Sequence, residues 1–164
     1  MMRSFFKLAA LFILGTICHW AGATFFSYMG LSVNLMLVFV VALCSVLPAG
    51  AGYPLAFLSG LFLDFFGTKL FGNNAFSFTV AACVVYNLRE RFDFDSVFPQ
   101  MFVVFGLSCV VSILNSILLL WFTASTWWPG TVSVLGGALI GMLFAPFVFW
   151  MVRRGWLNNG TKRS

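Results

Sequence analysis

The chain has 164 residues, of which 62% are hydrophobic and only 8% charged, against about 25% charged in an ordinary soluble domain. So much apolar surface has no place in a water-soluble globule of this size, which excludes a soluble catalytic or binding domain and points to the membrane. The 9 Lys and Arg against 4 Asp and Glu give a net charge of +5, but these basic residues flank apolar runs, as membrane topology requires. They are not gathered on one face with interleaved aromatics, as nucleic-acid binding needs.

The charges leave three uncharged runs, 8–63, 70–88 and 96–152. At roughly 20 apolar residues per bilayer crossing, these hold two or three spans, one span, and two or three spans. The expected fold is all-α: a polytopic membrane protein, one bundle of about six transmembrane helices occupying 1–164.

The first span is predicted over about 5–27, behind the basic flank of Arg3 and Lys7. That flank and Ala21-Gly22-Ala23 resemble a signal peptide and its cleavage site, but the spans downstream fit better with this helix retained. Cys18 follows the bulky Ile17, where a lipoprotein site needs a small residue. The second span is predicted over 31–47, stopped by Pro48 and by Ala49-Gly50-Ala51-Gly52, which reads as a flexible turn or break. The third, 50–67, ends in Asp64 and Gly67, and the fourth covers 72–88. After the charged stretch Arg89-Glu90-Arg91-Phe92-Asp93-Phe94-Asp95 come a fifth span, 98–122, and a sixth, 131–152. Between them Trp127 and Trp128 suit a membrane–water interface.

Basic residues decide between six spans and five. With six and the N-terminus inside, Arg3, Lys7, Arg89, Arg91, Arg153, Arg154, Lys162 and Arg163 are cytoplasmic and Lys69 alone is outside. Fusing 31–63 into one long span puts only Arg3, Lys7 and Lys69 inside. The positive-inside rule therefore favours six spans with both termini cytoplasmic.

Polar groups at membrane depth are few: His19, Asn34, Ser59, Asp64, Asn73, Asn74, Asn115 and some hydroxyls. Cys18, Cys44, Cys83 and Cys109 lie singly in apolar spans, without the close pairs of zinc or redox sites, and read as small packing residues. A rhomboid-type serine protease needs a glycine where Phe57 stands before Ser59-Gly60, and a histidine on a late span, whereas His19 is on the first. No catalytic residue, metal ligand or cofactor is expected, and the chain reads as a non-enzyme.

Asp64 is the most informative residue, because an intramembrane carboxylate costs about 2.5–3.5 kcal/mol on insertion scales and needs a partner or an escape to water. Two readings stand: a carboxylate snorkelling to the outer interface near Lys69, or a buried polar contact, for example with His19. Small residues recur at helical spacing as Gly52, Ala56, Gly60 with Asp64, and as Gly137, Gly141, Ala145. Such faces let helices approach closely in lipid, within the chain or toward a partner helix. The stretch 89–95 reads as a solvated connection, or as a docking patch through Phe92 and Phe94.

The stretch Gly60-Leu61-Phe62-Leu63-Asp64-Phe65-Phe66-Gly67-Thr68-Lys69-Leu70-Phe71-Gly72-Asn73-Asn74-Ala75 resembles the signature of the MreD family of bacterial rod shape-determining membrane proteins, a Gly-Leu-x-x-Asp helix end followed by glycines before the next span. Size, basic start and span number agree. The resemblance implies a non-enzymatic subunit of the cell-elongation machinery in the bacterial cytoplasmic membrane. Its implied partners are the single-span MreC, the actin-like MreB, the RodA glycosyltransferase and its class B penicillin-binding transpeptidase. It turns attention to Gly60, Asp64, Gly67 and Gly72 beside the small faces. The rival expectation is the substrate-binding S-component of an energy-coupling-factor vitamin transporter, also a small six-span protein. That role needs an outward pocket with several polar groups, for which Asp64, Asn73, Asn74, Trp127 and Trp128 are the candidates.

Overall fold

Six helices follow one another in the computed structural model, which describes residues 2–28, 31, 33–67, 70–91, 96–123 and 130–157. They are α1 (Met2–Ser27), α2 (Leu35–Val46), α3 (Ala49–Gly67), α4 (Asn73–Arg89), α5 (Val97–Thr123) and α6 (Thr131–Leu157). The chain is an all-α, multi-span membrane bundle. Among the described residues, three helical stretches suffice by length and composition to cross a membrane, Ala49–Gly67, Val97–Phe122 and Thr131–Arg154; Phe12–Phe26 and Leu35–Val46 are shorter apolar stretches.

The architecture follows from the shortest helix. With 12 residues, α2 is about 18 Å long at 1.5 Å per residue, so it cannot reach both faces of a hydrocarbon core of about 30 Å. Backbone groups left inside that core must find partners in the protein. They do: the Asn34 side chain accepts the Leu37 amide at 3.2 Å, and Arg89 Nη1 donates to the Leu47 carbonyl at 2.9 Å. Every residue from Leu35 to Ser45 is buried. The other five helices close a ring around it, with α3 on α4, α4 on α5, α5 on α6 and α6 on α1. The seam between α1 and α3 is closed by aromatic edges, Phe12 on Phe62 at 5.4 Å and Trp20 on Phe66 at 5.6 Å.

Close approaches set the directions. Gly15 faces Phe39 and Gly22 faces Leu35, so α1 runs antiparallel to α2; Gly136 faces Leu31 and Gly141 faces Val38, so α6 runs parallel to it. The start of α1 and the end of α6 therefore share one end of the bundle with the C-termini of α2 and α4. Phe78, Phe149, Met36 and Val85 fill the centre. Phe98, Phe102, Trp121, Leu143 and Phe147 point outward, as side chains in contact with lipid do.

Two boundaries depart from the sequence reading. The second helix begins at Leu35 rather than near 31, because the Asn34 cap terminates it on the N-terminal side. The stretch 49–52 is not a flexible break but the first turn of α3: Pro48 ends α2, and its carbonyl accepts the amides of Ala51 and Gly52, both at 3.0 Å. The turn between the two helices is only Leu47-Pro48. Lys69, Phe92, Asp93, Phe94, Asp95, Trp127, Trp128, Lys162 and Arg163 lie outside the described residues.

Candidate functional site

The site is the junction where α3 ends and α4 begins. A helix start leaves its first amides without intrahelical acceptors, and the N-cap of α4 is Gly72, which has φ +90° and no side chain to offer. The missing acceptor comes from the preceding helix. Asp64, 5% exposed, takes the backbone amide of Asn74 on Oδ1 and that of Ala75 on Oδ2, each at 3.1 Å, and the Asn74 side-chain amide also donates to Oδ1 at 3.1 Å. The Asp64 oxygens accept all three hydrogen bonds, at the positive end of the α4 dipole.

Gly60, one turn earlier on α3, makes this contact possible. A Cβ there would lie 2.5 Å from Ala75 Cα and 2.5 Å from Ala75 N, so only glycine lets the α3 backbone come close enough for Asp64 to reach the amides. Ala56 is wholly buried on the same face. At the far end Gly52 lies under Tyr86, whose Cζ would be 2.8 Å from an added Cβ. The Tyr86 hydroxyl is 3.3 Å from both the Leu47 and Pro48 carbonyls. The Gly52, Ala56, Gly60 and Asp64 face is thus occupied along its length by α4.

The polar contacts continue into α5. With its amino group committed to Asp64, Asn74 turns Oδ1 to Asn115 Nδ2 at 3.1 Å. Asn115 in turn accepts the hydroxyl of Ser77 on Oδ1. The orientation of both amides follows from the Asn74 amino group donating to Asp64, and three helices are joined through one chain of hydrogen bonds. Asn73 Oδ1 and His19 Nδ1 are buried with no hydrogen-bond partner among the described residues.

Of the two expectations for Asp64, the buried polar contact is the one observed: its carboxylate is buried and accepts the α4 amides rather than meeting His19, whose Nδ1 has no hydrogen-bond partner among the described residues. The polar contact lies with the next helix because a helix N-terminus offers several aligned donors within one residue pair. Among the described residues nothing lies within 4 Å of a Cβ built at Gly67 or Gly72, and Gly72, at φ +90°, serves backbone conformation. Gly137 and Gly141 are buried on α6; a Cβ at Gly141 would sit 3.6 Å from Ser108 Oγ and from Val38 Cγ2, an ordinary contact with α5 and α2. Asn74 and Asn115 stand out in the sequence as polar groups at membrane depth, whereas Ser77, the partner of Asn115, and Tyr86 and Arg89 at the other end of α4, do not. One signal was present: Asn74 and Ser77 stand three apart and so share a helix face.

Among the described residues, no group of three His, Cys, Asp or Glu converges as a metal site. Cys44 is buried with Sγ 3.9 Å from the Gly52 carbonyl, while Cys18, Cys83 and Cys109 are separate free thiols. No family model, curated protein or solved structure matches the chain. The junction itself is a joint: it fixes the angle and depth of α3, α4 and α5 with polar groups whose bonds are made to one another.

Proposed function

We propose that the chain is a non-enzymatic scaffold subunit of the bacterial cell-elongation machinery, of the MreD type, in the cytoplasmic membrane. All six helices cross or enter the bilayer, with both termini cytoplasmic, so that the basic ends of α1, α4 and α6 meet the positive-inside rule. The scaffold docks a single-span MreC-like protein and the RodA and class B penicillin-binding synthases through helix contacts, and faces MreB filaments on the cytoplasmic side. It carries no cofactor and binds no nucleic acid.

The observation that carries this reading is the joint between Gly60, Asp64, Asn74 and Ala75. These residues belong to the stretch on which the resemblance rests, and together they make a rigid helix junction. A transporter aims its intramembrane polar groups at a substrate, whereas Asp64, Asn74 and Asn115 bind each other. Because the small-residue faces of α3 and α6 are occupied within the chain, partner helices dock on the outward faces.

A tagged pull-down of the full chain from mild detergent, with mass spectrometry of proteins and small molecules together, tests the proposal. Recovery of a single-span periplasmic partner and cell-wall synthases supports it. A bound vitamin with energy-coupling ATPase subunits overturns it in favour of an S-component.

A further inference from the structure

The outward face of α6 runs Leu139, Leu143, Phe147, Trp150, Arg154, all exposed. At its end the guanidinium of Arg154 lies over the Trp150 ring, 5.0 Å from the centroid, and the Phe147 ring is stacked with that of Trp150, centroids 6.3 Å apart. An arginine free to reach water is instead held against the lipid-facing side of its own helix. Stacking uses the face of a guanidinium and leaves its edge donors free, and those match a phosphate in fork geometry.

The depth of this platform follows from the register. Gly141 is level with Val38 and the two helices run parallel, so Trp150 is level with Leu47. Arg89 binds the Leu47 carbonyl, which brings Arg89, Arg91, Arg153 and Arg154 to one end of the bundle. Among the described residues only Glu90 opposes them there. Aromatic rings of this kind mark the headgroup level of a bilayer, and an excess of arginine at that level attracts anionic lipid.

We propose that Arg154, on its Trp150 platform, binds the phosphate of an anionic phospholipid headgroup, with the acyl chains running along Phe147 and Leu143. The site is independent of any protein partner. The experiment uses the full chain in a neutral detergent with equal amounts of phosphatidylglycerol and phosphatidylcholine of matched acyl chains, and bound lipid is counted by native mass spectrometry. Phosphatidylglycerol is expected to be preferred roughly fivefold, the worth of one arginine at an anionic surface. Arg154→Gln abolishes that preference and Arg154→Lys leaves part of it. Millimolar inorganic phosphate leaves the bound lipid in place. Equal binding of the two lipids by the unaltered chain overturns the proposal, as does an unchanged preference in Arg154→Gln. Displacement by phosphate overturns it too, since the site then takes the free anion.

Discussion

The carboxylate of Asp64 on α3 accepts the backbone amide of Ala75 on α4 at 3.1 Å, closing a helix whose own N-cap, Gly72, has no side chain. One residue in the last turn of α3 thereby caps the start of α4. The junction also explains why a charge-bearing side chain persists at 5% exposure in an otherwise apolar interior.

Removing that acceptor takes it from two buried backbone amides and from the Asn74 side-chain amide. Asp64→Ala is expected to destabilise the bundle by about 3 kcal/mol, from about 1 to 3 kcal/mol for each orphaned donor. Asp64→Asn keeps one acceptor oxygen and loses roughly half as much. Denaturant unfolding in detergent, followed by tryptophan fluorescence, measures both. Amide exchange at residues 73–77 should rise in Asp64→Ala before it rises elsewhere; equal protection across α4 in both proteins contradicts the cap.

Two glycines on helix faces should behave oppositely. Gly60→Ala forces a methyl to 2.5 Å from the Ala75 backbone, which cannot swing aside, and overpacking of this kind costs about 1 to 3 kcal/mol besides disturbing Asp64. At Gly141 the nearest side-chain atoms lie at 3.6 Å, so Gly141→Ala fits and gains the helix preference of alanine, up to about 1 kcal/mol. Thermal melts of the two variants side by side decide this, and a Gly60→Ala protein as stable as the parent would refute the close approach.

Asn115 joins α4 to α5. Replacing it by leucine, of similar bulk, strands Asn74 Oδ1 and the Ser77 hydroxyl, with an expected loss of about 1 kcal/mol, since hydrogen bonds between membrane helices average near 0.6 and reach about 1.7 kcal/mol. Ser77→Ala alone costs less, because Asn115 keeps its bond to Asn74. A double-mutant cycle of Asn115→Leu with Ser77→Ala should return a coupling energy above experimental error; strict additivity would mean that the two side chains do not interact.

The C-terminal end of α2 depends on α4 in the same way. Arg89→Gln removes a charge-assisted bond to the Leu47 carbonyl, of a kind worth about 1.5 to 3 kcal/mol. Tyr86→Phe costs less, since the arginine remains on that oxygen. The expected order of stability is parent, Tyr86→Phe, Arg89→Gln, then both together, read from unfolding midpoints in one detergent.

Much of the fold was legible before any coordinates. The spacing of charges bounded three apolar runs, and the predicted 98–122 and 131–152 fall on α5 and α6, because a long apolar segment in lipid satisfies its own backbone as a helix. The small faces on α3 and α6 could be read from their spacing too. Less visible were the 12-residue length of α2, set by the Asn34 cap, and the helical state of 49–52, set by the Pro48 carbonyl. Both depend on individual hydrogen bonds rather than on periodicity.

Composition and charge spacing determined by themselves that this is a multi-span helical membrane protein, since transfer free energies add residue by residue along a sequence. The partner of Asp64 was decided only in three dimensions. A carboxylate at depth must find donors, but sequence does not say whether they lie on His19, on Lys69 or on a backbone. The approach of α3 to α4 at Gly60 answers that, by bringing two aligned amides within 3.1 Å where nothing in their side chains announces them.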